Sequence, residues 1–198
     1  MRDKDIRLVL KNEFARKYAR DNSTLVLDEL GICHGAARLD LAVVNHLLHG
    51  YEIKSDVDSL KRLPDQIQIF NSVVDRMTLV VGYRHAYSAL DMVPDWWGVR
   101  LADQNAENNE TVLKTARLPR DNPAVDVNAV VALLWREEAL GILEEMGLAD
   151  GVRSKNRVAI YQRLVQMTEP KYLCIKVRQQ LKDRKGWRAD VQQMSCGG

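Results

Sequence analysis

The chain has 198 residues, 46% of them hydrophobic and 28% charged. That is the balance of a soluble globular protein, with room for one domain or one domain plus a small appendage. No apolar run approaches the ~20 residues a membrane-crossing helix requires, and the charged start MRDKDIRLVLKNEF lacks a signal peptide's apolar centre. Three cysteines at unrelated spacings (Cys33, Cys174, Cys196) supply neither a disulfide framework nor a zinc site, so a cytoplasmic location is expected.

The net charge of +2 hides an asymmetry. Residues 1–151 hold 18 lysines and arginines against 24 acids, whereas residues 152–188 hold 11 against 2. An acidic body with a basic tail section fits a phosphate-gripping surface set apart from an acidic site; the simpler reading is a solvated basic helix pair.

Residues 3–20 carry Ile6, Val9, Leu10 and Phe14 at helical spacing, and Glu13 falls on that core-facing stripe. STLVLDELGI (residues 23–32) reads as a first strand, with Glu29 near its end. RLDLAVVNHLLHGYEIK (residues 38–54) then gives two β-rich runs joined by a short polar turn. Period-2 geometry puts Glu52 and Lys54 on one face of the second run. Asp40 joins them only if the connection has an odd number of residues or a bulge intervenes, so a three-residue connection around residues 45–48, or a bulge, is expected. His34, His46 and His49 read as surface residues in or beside turns.

Beyond Lys54, Pro64 opens a helix whose Leu60, Leu63, Ile67, Phe70 and Val74 cover the sheet, with Gln66 in its first turn. Lys61 and Arg62 precede it as candidate phosphate contacts. MTLVVG (residues 77–82) has the unbroken apolar character of a central strand buried on both faces. A short helix at 85–92, a strand near 98–102 and a hairpin return over 110–118 follow; Trp96 and Trp97 read as caps on the core, with base stacking as the alternative. PRDNPAVD (residues 119–126) is the expected boundary between a core of residues 1–125 and a basic helical region of residues 126–198. That region is read as helices over 127–146, 155–167 and from 170 to about 185, closed by Trp187 and Arg188, with a disordered SCGG end. Arg153, Lys155 and Arg157 stand at a helix entrance suited to phosphate.

Asp40, Glu52 and Lys54, spaced Asp-x11-Glu-x-Lys, resemble the signature of the PD-(D/E)XK nuclease superfamily, and ELG, GYEIKSD, RLPDQ and VPDWWG resemble one small bacterial branch of it. The resemblance implies an α/β fold, a restriction-endonuclease-like mixed β-sheet core flanked by helices, here with a C-terminal helical region. It implies a metal-dependent nuclease, acting on DNA by preference. Asp40 and Glu52 would hold Mg²⁺ or Mn²⁺, Lys54 would assist the attacking water, and Gln66 would position it. Glu29 or Glu13 would complete a second metal site, and Lys61, Arg62, Arg153, Lys155 and Arg157 would contact nucleic acid. A homodimer is compatible with that activity. The second reading is a catalytically silent nucleic-acid- or protein-binding regulator on the same fold, whose acids and Lys54 form a structural ion pair.

Overall fold

The structure, a computed structural model, describes residues 1–185, so Trp187, Arg188, Cys196 and the terminal SCGG lie outside the described residues. Six strands form one sheet in the order of the chain: β1 (Leu25–Ile32), β2 (Ala37–Val44), β3 (Leu48–Lys54), β4 (Arg76–Gly82), β5 (Gly98–Gln104) and β6 (Thr111–Arg117). β1, β2 and β3 run antiparallel, β3–β4 and β4–β5 are parallel, and β6 returns antiparallel to β5. Parallel neighbours on both sides leave β4 buried on both faces, which is why its sequence is continuous rather than alternating.

Among the described residues, helix α1 (Asp3–Lys17) alone covers one face. Its Ile6, Leu10 and Phe14 pack on Leu41, Val43, Tyr51, Ile53 and Val80. The opposite face carries α2 (Leu63–Val73), α3 (Ala86–Met92), α4 (Val127–Val131), α5 (Arg136–Glu145), α6 (Arg157–Met167) and α7 (Pro170–Asp183). In α2 the buried Leu63, Ile67, Phe70 and Val73 recur at helical spacing, each worth roughly 1.5–3 kcal/mol of burial. Pro64 sits in its first turn, where no backbone N–H is needed. The expected mixed sheet flanked by helices, with further helices at the C-terminal end, is therefore what the chain forms.

The C-terminal helices share the large core with the sheet: Val131, Ile142, Leu164, Leu173 and Val177 belong to the same cluster as Phe70, Met77 and Trp97. The helix expected over 127–146 is broken at residues 132–135. Trp135 is extended and starts α5, with its N–H accepted by the Glu138 carboxylate. Arg184 and the Tyr161 hydroxyl take up the Leu133 and Leu134 carbonyls that the break frees. Trp97 is fully buried and donates to Asn71 at 2.9 Å, with Trp96 edge-on to it, so this pair belongs to the core. Glu169, which with Lys171 repeats the acid-x-lysine spacing of Glu52 and Lys54, caps α7 by accepting from Tyr172 N–H.

One irregularity governs the site. A regular strand sends residues two apart to the same face, yet Leu39 packs in the large core and Leu41 in the core under α1. The half-step falls at Asp40. Its counterpart on β1 is Glu29, held at φ 58°, where the neighbouring Leu27 and Leu30, three apart, share one core. Paired kinks of this kind bend a strand and re-aim a side chain.

Candidate functional site

The connection from β2 to β3 has the expected three residues, since Val44 pairs with Leu48. Regular pairing would then place Asp40 opposite Glu52, but the half-step turns it toward α1. Arg7 of α1 donates to Asp40 Oδ1 at 2.8 Å and to the Asp40 carbonyl at 2.7 Å. The other oxygen, Oδ2, accepts from Ile53 N–H at 2.7 Å and bridges β2 to the diverging end of β3. Burial raises the Asp40 pKa, with the Ile53 N–H and Arg7 opposing the rise.

Glu52 and Lys54 share the α2 face of β3, as the alternation requires. Both are buried, 2% and 6% exposed, and Lys54 Nζ donates to Glu52 Oε1 at 2.6 Å. Gln66, in the first turn of α2, donates to the same oxygen at 2.8 Å. Glu52 Oε2 and Gln66 Oε1 are buried with no hydrogen-bond partner among the described residues. Burial, and secondarily the nearby Asp40 charge, pushes the Glu52 carboxyl up to about 7, against the pull of Lys54. The sheet and α2 thus close over a carboxyl, an ammonium and an amide that satisfy one another in part. Glu52, accepting from both, ties the end of β3 to α2.

The remaining acids of the expected metal site go elsewhere. Glu29 lies 3.1 Å from Arg7 and 3.2 Å from Arg38. Glu13 pairs with both terminal nitrogens of Arg100 on β5, at 2.7 and 3.0 Å. Among the described residues no three His, Cys, Asp or Glu side chains gather into a metal-holding group. Both Asp40 oxygens and one Glu52 oxygen are engaged by donors within the fold. Arg7, which also reaches Asp3 at 3.2 Å, is the hub that sequence reasoning missed. Its signal was present: a cation beside the Ile6–Leu10–Phe14 stripe sits at the edge of the buried helix face. His49, read as a surface residue, is half-buried against Tyr51 and bonded to Thr78 at 2.9 Å; burial lowers its pKa to about 3, which keeps it neutral.

Chain direction gathers the basic candidates. β1, β3, β4 and β5 all end, and β2 begins, at one end of the sheet. Lys61 and Arg62, exposed, lie in the 3₁₀ turn leading from the end of β3 into α2. Arg157 opens α6 beside His34 of the β1–β2 turn; burial and the Arg157 charge lower the pKa of His34, whose ring stacks on Tyr161. Arg84, not singled out from the sequence, sits in the turn after β4, its backbone N–H donating to Asp56 at 3.1 Å. None of these four cations has a carboxylate partner among the described residues. Arg153, by contrast, pairs with Asp150 and Glu144, and the Lys155 carbonyl accepts from Arg136.

The sequence profile of the family described as Bacteriophage P4 protein cII matches residues 1–195. Protein cII of Enterobacteria phage P4 is 26% identical over 148 residues, covering 75% of this chain and 55% of that protein. The chain thus spans about half the length of the curated relative it matches. No solved structure matches it. These findings overturn the resemblance to the PD-(D/E)XK superfamily and, with it, the expected Mg²⁺-dependent nuclease. A matching acid–lysine spacing on a mixed sheet does not carry a reaction with it. The chain belongs to the bacteriophage P4 protein cII family.

Proposed function

We propose that the chain is a nucleic-acid-binding protein that holds its ligand without hydrolysing it, at the end of the sheet where β3, β4 and β5 terminate. The observation that carries this reading is the gathering of Lys61, Arg62, Arg84 and Arg157 there without acidic partners among the described residues. Asp56 and Asp58 are also close. Their carboxylates are turned into the fold, accepting from Arg84 N–H and from the Ser55 N–H and hydroxyl. Cations without partners at strand ends are free to neutralise phosphates, which supplies the sequence-independent part of nucleic-acid affinity. Lys155, exposed and two residues before Arg157, extends the same surface. Beneath it the Glu52–Lys54–Gln66 cluster works as a structural lock, the role that the second sequence reading gave to the acids and Lys54.

The test is anisotropy of labelled DNA oligonucleotides with the full chain at low salt, beside the Lys61→Glu/Arg62→Glu variant. Binding is expected to fall about tenfold or more in the variant, since two phosphate contacts are reversed in sign. Oligonucleotides recovered after incubation with Mg²⁺ are expected intact. Wild-type protein that binds no oligonucleotide at low salt, or a variant that binds as tightly as wild type, refutes the proposal.

A further inference from the structure

The segment after β4 reads Gly82-Tyr83-Arg84-His85-Ala86-Tyr87, and it presents two aromatic rings to solvent on a fixed support. Tyr83 is 62% exposed and Tyr87 82% exposed. Neither ring nor hydroxyl has a partner among the described residues, and Arg84 between them has no side-chain partner either. The support is rigid for two reasons. Gly82 lies so close to Asp56 that an added Cβ would stand 2.3 Å from its carboxylate oxygen, and the Arg84 N–H is bonded to that same carboxylate. From the other side, Ala86 and Ala89 are buried and seat α3 on the core.

From this arrangement we infer that Tyr83 and Tyr87 form a stacking platform for unpaired bases, so that the nucleic acid taken at this end of the sheet is single-stranded. The inference rests on the binding reading above and names the form of the ligand. In a duplex the faces of the bases are covered by their neighbours, and an outward tyrosine ring finds only sugar and phosphate. In a single strand the base faces are open, and an aromatic ring beside cations can hold base and phosphate together. Arg84 lies between the rings in sequence, and Lys61 and Arg62 follow the Ser55–Ser59 turn against which Arg84 is tied. Aromatic and cationic groups are thereby interleaved at one strand end.

The experiment compares a 5′-labelled oligo-dT of about 20 nucleotides, longer than the ~4–16 a small single-strand surface covers, with a duplex of equal length. Wild-type protein is expected to bind the single strand at least about tenfold more tightly. The Tyr83→Ala/Tyr87→Ala variant is expected to lose about tenfold or more for the single strand, in line with two lost stacking contacts, while its duplex binding and circular dichroism stay unchanged. Tyr83→Phe/Tyr87→Phe keeps the rings and is expected to keep the preference. If the alanine variant holds the single strand as wild type does, or if wild type binds both forms equally, the platform is refuted while the binding surface stands. A protein partner for the tyrosines would give the first of these results. If wild type binds neither form, the binding reading fails with it.

Discussion

Replacing Lys54 by Met keeps the buried stem and removes the ammonium, leaving Glu52 with only Gln66 on its bonded oxygen. Breaking a buried ion pair costs about 3–5 kcal/mol when the orphaned charge has no escape. Glu52 has one: it can take up a proton. Keeping it protonated at pH 8, against its ordinary value of 4.5, costs about 5 kcal/mol at ~1.4 kcal/mol per pH unit. Wild-type protein already carries about 3 kcal/mol of that cost, because burial holds its carboxyl at about 7. The added loss at pH 8 is therefore about 1–2 kcal/mol, smaller than for a pair that cannot neutralise. Near pH 5.5 both folded proteins hold the proton and the difference vanishes.

The same displacement sets the sign for wild type. The folded carboxyl grips its proton more tightly than the unfolded one. Its contribution to stability is full below 4.5 and is lost as pH climbs through 7. Urea unfolding followed by tryptophan fluorescence at both pH values reads this directly. At pH 8 the midpoint should shift by roughly 0.5–1 M, taking a slope near 2 kcal/mol per molar. Lys54→Met/Glu52→Gln should show no pH-dependent difference of this kind. A loss of about 4 kcal/mol that is equal at pH 5.5 and pH 8, or no loss at pH 8, would refute the reasoning.

Arg7→Met should cost about 2 kcal/mol, because it strips Asp40 of a charged donor while Ile53 still holds the other oxygen. In a thermal melt that is a fall of roughly 4–8 °C, and an unchanged melt would remove Arg7 as the hub. Gly98→Ala should destabilise more than Gly50→Ala. At Gly98 a new Cβ meets the Pro119 ring at 2.8 Å and its nitrogen at 2.9 Å, whereas at Gly50 it meets the flexible ends of Met77 and Leu39. Equal losses by denaturant titration would show that the 118–126 segment yields more easily than a side chain.

Much of the fold was legible because period and punctuation agreed. The Ile6–Leu10–Phe14 stripe, the apolar run through β4 and the Leu63–Ile67–Phe70 spacing each have one structural solution. The break at residues 132–135 was not legible. Leu133, Leu134 and Ala139 continue a helical apolar pattern, and only the capping of Trp135 by Glu138 and the distant partners Tyr161 and Arg184 make the interruption affordable. At the site, the alternation puts Glu52 and Lys54 on one face, and Gln66 reaches Glu52. The direction of Asp40 was lost to the half-step opposite Glu29, which no local composition announces. The spacing of three residues also pointed to a superfamily that the match along residues 1–195 does not support. Charge composition located a basic region, but not which cations remain without acids among the described residues: Arg153 is consumed by its neighbours, while Arg84, outside that region, is not.

Amide hydrogen exchange on the full chain, with and without a saturating single-stranded oligonucleotide, tests most directly whether ligand sits at the end of the sheet where β3, β4 and β5 stop. Slowed exchange is expected in residues 33–38, 55–62, 83–87 and 153–158, with the β2–β3 turn at residues 45–47, at the opposite end of the sheet, and the outer side of α1 unchanged. Slowing confined to α1 or to the β2–β3 turn, with those four segments unaltered, would contradict the account.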